Sequence, residues 1–170
     1  MKSDYRSRAA KLCRLLDHYI ASCRTETDFS RAVTAFNLMH HRHVIFEHGI
    51  SRAVFITSDY VIKIDAWEST FGGCKDEYMV YQQAEKDGYE YLFAEITPFC
   101  YNNHMFYIMP RIRVSGMTKE YSIDEYLNWD EWTYLSQHVD DLHDGNWGMK
   151  NNRVVVFDYA CRNTYFDEDE

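Results

Sequence analysis

The stretch Asp141-Leu142-His143-Asp144-Gly145-Asn146-Trp147-Gly148, followed after a turn by Val154-Val155-Val156-Phe157-Asp158, decides how this chain is read. Asn151-Asn152 separates two short runs and marks a β-hairpin, which brings two carboxylates and an amide to its ends. A polar turn would account for Asp144-Gly145-Asn146. It would not account for an aspartate that closes a four-residue apolar strand. Phosphoryl transfer needs such a set: one carboxylate to orient a hydroxyl and accept its proton, and an amide oxygen with a second carboxylate as hard ligands for Mg²⁺.

Upstream, Ser122 and Glu125 form an S-x-x-E capping box, and Ile123, Tyr126, Leu127, Tyr134 and Leu135 predict a helix to about His138. Strands are predicted near 91–96 and 105–112, and a helix over 75–86 after the Phe71-Gly72-Gly73 break. Runs rich in Val, Ile, Phe and Tyr predict strands at 43–47, 52–57 and 60–65, an antiparallel meander. Ala9, Leu12, Cys13, Leu16, Tyr19, Ile20 and Cys23 recur at three- and four-residue steps, which predicts a helix over 4–23. Thr27-Asp28 caps a second helix that runs to about His40. Three strands, helix, two strands, helix, loop and hairpin make an α+β fold.

The D-L-H-x-G-N run, with its hairpin and terminal Asp158, resembles the catalytic loop and metal-binding aspartate of protein-kinase-like enzymes. The spelling is most similar to that of aminoglycoside phosphotransferase-type kinases and of the small Ser/Thr kinases of tailed bacteriophages. The resemblance implies Asp141 as catalytic base and Asn146 and Asp158 as metal ligands. Asp158-Tyr159-Ala160 stands where such enzymes carry Asp-Phe-Gly, which bears on the activation-loop flip and not on the metal site.

The same resemblance implies ATP and Mg²⁺ as cofactors and an ATP-facing lysine on an earlier strand, which Val61-Ile62-Lys63-Ile64 supplies as Lys63. The strand pattern alone reads Lys63 equally as an outward lysine on an amphipathic strand. Glu47 to Phe55 lies where these kinases cover the phosphates, so Gly49 and Ser51 are candidate phosphate contacts through backbone amides. Glu77 is the expected partner of Lys63, ahead of Glu85 on the same helical face, because it precedes the helix core; an acid at a helix start is favourable in any case. Phe106 to Pro110 resembles the fifth strand and hinge, with Met109 and Arg111 as candidate adenine contacts.

The organisation expected is an N-terminal helical extension over 1–42, a truncated kinase-like domain over 43–166, and an acidic tail over 167–170. Within the domain, 43–112 forms the N-lobe, a sheet with one helix, and 113–166 a reduced C-lobe. Twelve residues follow Asp158, so the activation segment and peptide-binding helices of an ordinary protein kinase have no expected counterpart.

A net charge of −9 disfavours nucleic acid as a ligand, because phosphate contacts draw on Lys and Arg. The chain is 46% apolar and 16% aromatic, the texture of a globular protein. Five cysteines without a CxxC pair, no leader and no bilayer-length apolar run predict a cytoplasmic protein with reduced thiols and no membrane partner, in the host cytoplasm if it is phage-encoded. His40, His41, His43, His138 and His143 lack zinc-site spacing, and no cysteine lies in a Cys/His nucleophile pattern.

Two functions follow. One is a Mg-ATP-dependent kinase, Ser/Thr-directed, acting on a protein substrate or on itself. The other is a catalytically weak kinase-like binding protein that inhibits or scaffolds a host protein. Lys63, Glu77, Asp141, Asn146 and Asp158 together favour the first, since a binder has no chemical need of all five. A small-molecule kinase is a third possibility, from the phosphotransferase-like spelling of the loop.

Overall fold

The computed structural model describes residues 5–40, 45–48, 52–65, 73–112, 123–140, 142–143 and 145–159. The fold is α+β and divides into two units, Met1–Lys75 with Glu95–Arg111, and Asp76–Ala94 with Ile112–Glu170.

In the first unit the expected periodicity produces α1, Tyr5–Ile20, which buries Ala9, Cys13, Leu16 and Ile20 on one face. Helix α2, Glu26–His40, buries Phe29, Val33 and Phe36. Its cap is Thr25 rather than Thr27-Asp28: the Asp28 amide donates to the Thr25 hydroxyl at 3.1 Å, and the Asp28 carboxylate accepts from the Arg24 amide at 3.3 Å. The strands β1 Ile45–His48, β2 Arg52–Ile56, β3 Tyr60–Asp65, β4 Thr97–Tyr101 and β5 His104–Pro110 form an antiparallel sheet in the order β1-β2-β3-β5-β4.

One face of this sheet, with Ala53, Phe55, Ile62, Ile64, Phe106 and Ile108, shares a single apolar core with α1 and α2. The helices expected as an extension are thus part of the unit that holds the sheet. Full burial of residues such as Phe36, Phe55 and Ile62 contributes roughly 2 kcal/mol each relative to exposure. Asp17 is the polar member of the α1 face, and its buried carboxylate is satisfied by Asn102 Nδ2 at 2.8 Å and His104 Nδ1 at 2.6 Å. These contacts fasten the tip of the β4–β5 hairpin to α1.

The strand expected at 91–96 is replaced. Glu90–Leu92 forms a 3₁₀ turn, Phe93 makes an isolated bridge to Val156, and the strand proper begins at Thr97. The cause is the Asn102-Asn103 pair, whose φ values of 46° and 68° suit a two-residue type I′ turn. That turn sets Tyr101 against His104 and makes 97–101 the partner of β5. Pro98 is tolerated there because β4 is an edge strand.

In the second unit lie most of α3, Cys74–Asp87, then α4, Trp129–His138, and the hairpin of β6, Trp147–Lys150, with β7, Arg153–Val156. Within the first unit, Asp65 Oδ1 accepts from the Cys74 amide at the start of α3. A Cβ on Gly73 would collide with that carboxylate, so a larger residue there would require the Asp65 side chain to move. The predicted N-lobe boundary also shifts, because 76–94 groups with the C-terminal part.

The long helix expected from Ser122 is broken. Ser122 lies outside the described residues; Ile123–Tyr126 forms a 3₁₀ turn, and α4 starts after Asn128. Helix α4 has its own capping box: Asn128 Oδ1 accepts from the Glu131 amide at 3.0 Å, and Glu131 Oε2 accepts from the Asn128 amide at 2.9 Å.

Candidate functional site

The hairpin of the second unit is the frame of the site. Register pairs Trp147 with Val156 and Lys150 with Arg153, around an Asn151-Asn152 turn with φ values of 54° and 61°. Asn146 and Phe157 therefore face one another just beyond the paired strands. The Asn146 carbonyl accepts from the Phe157 amide at 2.9 Å and from the Asp158 amide at 3.4 Å. The two expected metal ligands are thus neighbours at one end of one hairpin. Asn146 is 7% exposed and Asp158 half-buried.

Before Asn146 the chain makes a tight turn. The Asn146 amide donates to the His143 carbonyl at 2.9 Å, and the Gly145 amide donates to His143 Nδ1, also at 2.9 Å. A Cβ on Gly145 would lie 2.7 Å from His143 Cε1, so a larger residue there would force that exposed ring aside. His143 is exposed, and its ring serves the turn.

Glu77 lies on α3 and is fully buried, at 0% exposure, whereas Glu85 is exposed. A buried carboxylate needs donors. One is the amide of Tyr159, at 3.4 Å from Glu77 Oε1. Tyr159 itself is 1% exposed, donates its hydroxyl to the Ala94 carbonyl at 2.9 Å, and meets Phe93 edge-to-face at 4.9 Å. Burial, with the Glu77 carboxylate second, pushes this phenol well above the ordinary tyrosine range, so it acts as a neutral donor.

In the first unit Lys63 sits at the centre of β3, paired with Val54 on one side and Tyr107 on the other. It lies on the sheet face opposite Ile62 and Ile64 and is 4% exposed, so it is not the outward lysine of an amphipathic strand.

At the strand end expected to hold adenine, Arg111 bonds within the sheet. The Arg111 amide donates to the Asp59 carbonyl at 3.0 Å, and its guanidinium to the Thr57 carbonyl at 2.9 Å. Antiparallel alternation turns the amide of Met109, in register with Val61, to the same side. Pro110 between them has no N–H. Arg111 thus holds the β2–β3 turn, and its N–H is committed within the sheet rather than offered to a base.

Asp141, Gly49 and Ser51 lie outside the described residues. Tyr159 was singled out in the sequence only as a departure from Asp-Phe-Gly. The signal for its role was an aromatic next to an aspartate at the end of an apolar strand.

The donors at Asn146 and Asp158 are an amide and a carboxylate, both hard oxygen ligands, and fit Mg²⁺ rather than a softer metal. Among the described residues no three His, Cys, Asp or Glu side chains come together, so Mg²⁺ would complete its shell with water and phosphate oxygens. No described helix is long and apolar enough to cross a membrane. Compared with protein-family models, curated proteins and solved structures, the chain matches none.

Proposed function

We propose that this chain is an ATP- and Mg-dependent phosphotransferase on a truncated protein-kinase-like fold, directed at Ser/Thr hydroxyls of a protein. The observation that carries the reading is the Asn146–Asp158 pairing at the end of the β6–β7 hairpin. Buried Glu77 on the amide that follows Asp158, and a buried lysine at mid-strand, support it further.

In this reading Asn146 and Asp158 hold the metal, Lys63 binds phosphate oxygens, and Glu77 supports the ligand-bearing segment. Asp141 orients the acceptor hydroxyl and takes its proton as the oxygen bonds to the γ-phosphorus and the bond from that phosphorus to the β–γ bridging oxygen breaks, releasing ADP. Mg²⁺, when bound, offsets charge on the β- and γ-phosphates. Catalysis is then positioning and electrostatics, with no covalent intermediate required.

The test is incubation with Mg²⁺ and γ-labelled ATP, alone and with cell lysate. Label should appear on protein with the wild type and vanish in both Asp141→Asn and Asp158→Ala. Label that persists in Asp158→Ala would defeat the proposal.

A second reading, a kinase-like binding protein that inhibits or scaffolds a host protein, draws on the commitment of the Arg111 amide within the sheet. It predicts capture of a protein partner without phosphoryl transfer from ATP.

A further inference from the structure

Tyr159 brackets Asp158 with bonds that converge on a single residue. The Ala94 amide donates to the Val156 carbonyl at 2.7 Å, and the Ala94 carbonyl accepts from the Tyr159 hydroxyl at 2.9 Å. Asp158 lies between these two attachments. Its own amide is held by Asn146, and the next amide by Glu77. Residues 156–159 are thus fastened from both sides: by the hairpin partner strand through Asn146, and by the 89–94 segment and α3 through Ala94 and Glu77.

Phenylalanine in this place would pack against Phe93 equally well but would leave the Ala94 carbonyl without its donor. The phenol is 1% exposed, so water does not substitute for it. The hydroxyl therefore contributes a directional restraint that packing alone does not give.

We propose that Tyr159 is a positioning residue, whose hydroxyl bond to Ala94 locks Asp158 beside Asn146 and so fixes the geometry of the divalent-cation site. This rests on the metal-binding reading above. A segment locked in this way holds its ligand aspartate in one arrangement without an activation-loop switch.

The test is Mn²⁺ binding in the presence of ATP, followed by electron paramagnetic resonance, for the wild type, Tyr159→Phe and Asp158→Ala. Tyr159→Phe should bind Mn²⁺ about fivefold more weakly, the equivalent of about 1 kcal/mol for one buried hydrogen bond, and Asp158→Ala should not bind. Equal Mn²⁺ affinity in Tyr159→Phe, with a lowered melting temperature, would make the hydroxyl merely structural and overturn the inference alone. No Asp158-dependent binding by the wild type would overturn the metal-site reading and the inference with it. Amide hydrogen exchange of the wild type adds a check that needs no variant: the Phe157 and Asp158 amides should be protected, and exchange at the free-peptide rate would refute the lock.

Discussion

The amide of Asp158 points at the carbonyl of Asn146, 3.4 Å away, so two residues twelve positions apart share one hydrogen bond at the mouth of a hairpin. The relation follows from register. A slip of one residue between β6 and β7 would turn every side chain on one strand to the other face and part the two ligands.

The register depends on the Asn151-Asn152 turn, whose residues both have positive φ. Asn152→Gly should raise stability by about 0.5 kcal/mol, while replacing both residues with alanine should cost about 2 kcal/mol. Urea denaturation at fixed m-value measures both. A double-alanine variant as stable as the wild type would mean that the turn does not set the register.

At the other side of the ligand pair, Gly145 and His143 should be energetically coupled. Gly145→Ala forces the ring aside and should cost about 1–2 kcal/mol, but the same change in a His143→Ala background should cost markedly less. A double-mutant cycle without coupling would contradict the crowding of Gly145 by the His143 ring.

Glu77 gives a prediction on stability. Glu77→Gln retains an acceptor for the Tyr159 amide and should cost about 1 kcal/mol, whereas Glu77→Ala strands that amide, opens a cavity and should cost about 3 kcal/mol. Equal losses would show that the carboxylate, not the acceptor, matters.

Alkaline pH should weaken the second unit. Burial first, then the Glu131 carboxylate, pushes the Tyr91 phenol up to about 12, and burial with Asp87 raises Tyr134 above its ordinary range. The fold thus favours the neutral phenols. Their contribution is complete below the unfolded value near 10 and is lost as pH rises from there through about 12. The melting temperature should fall across that window, with phenolate absorbance at 295 nm appearing as the protein unfolds. Full phenolate absorbance in folded protein near pH 10 would contradict this.

What was legible in the sequence followed from strong local signals. The face of α1, the β1–β3 meander and the β6–β7 hairpin were readable from periodicity and from Asn151-Asn152. The identical pair Asn102-Asn103 went unread, and the β4 strand was placed too early because Tyr91, Leu92 and Phe93 look as strand-forming as Phe99 and Tyr101 do. Their 3₁₀ turn is settled by contacts distant in sequence, such as the bond from Ala94 to Val156. Likewise the start of α4 at Asn128 is set by a capping box that the run from Ser122 did not signal, a boundary that propensity does not resolve. For the candidate site, the burial of Lys63 and of Glu77 distinguishes them from ordinary surface charges, and burial is a property of tertiary packing that a strand or helix pattern leaves open.

The most direct measurement of the central claim is the melting temperature with Mg²⁺ alone, ATP with a chelator, and Mg²⁺ with ATP, for the wild type, Lys63→Met and Asp158→Ala. At about 100-fold excess over Kd, Mg²⁺ with ATP should raise the wild-type melting temperature by about 5 °C, neither component alone should do so, and both variants should lose the shift. A wild type that Mg²⁺ with ATP does not stabilise, or a shift that survives Asp158→Ala, would contradict the account.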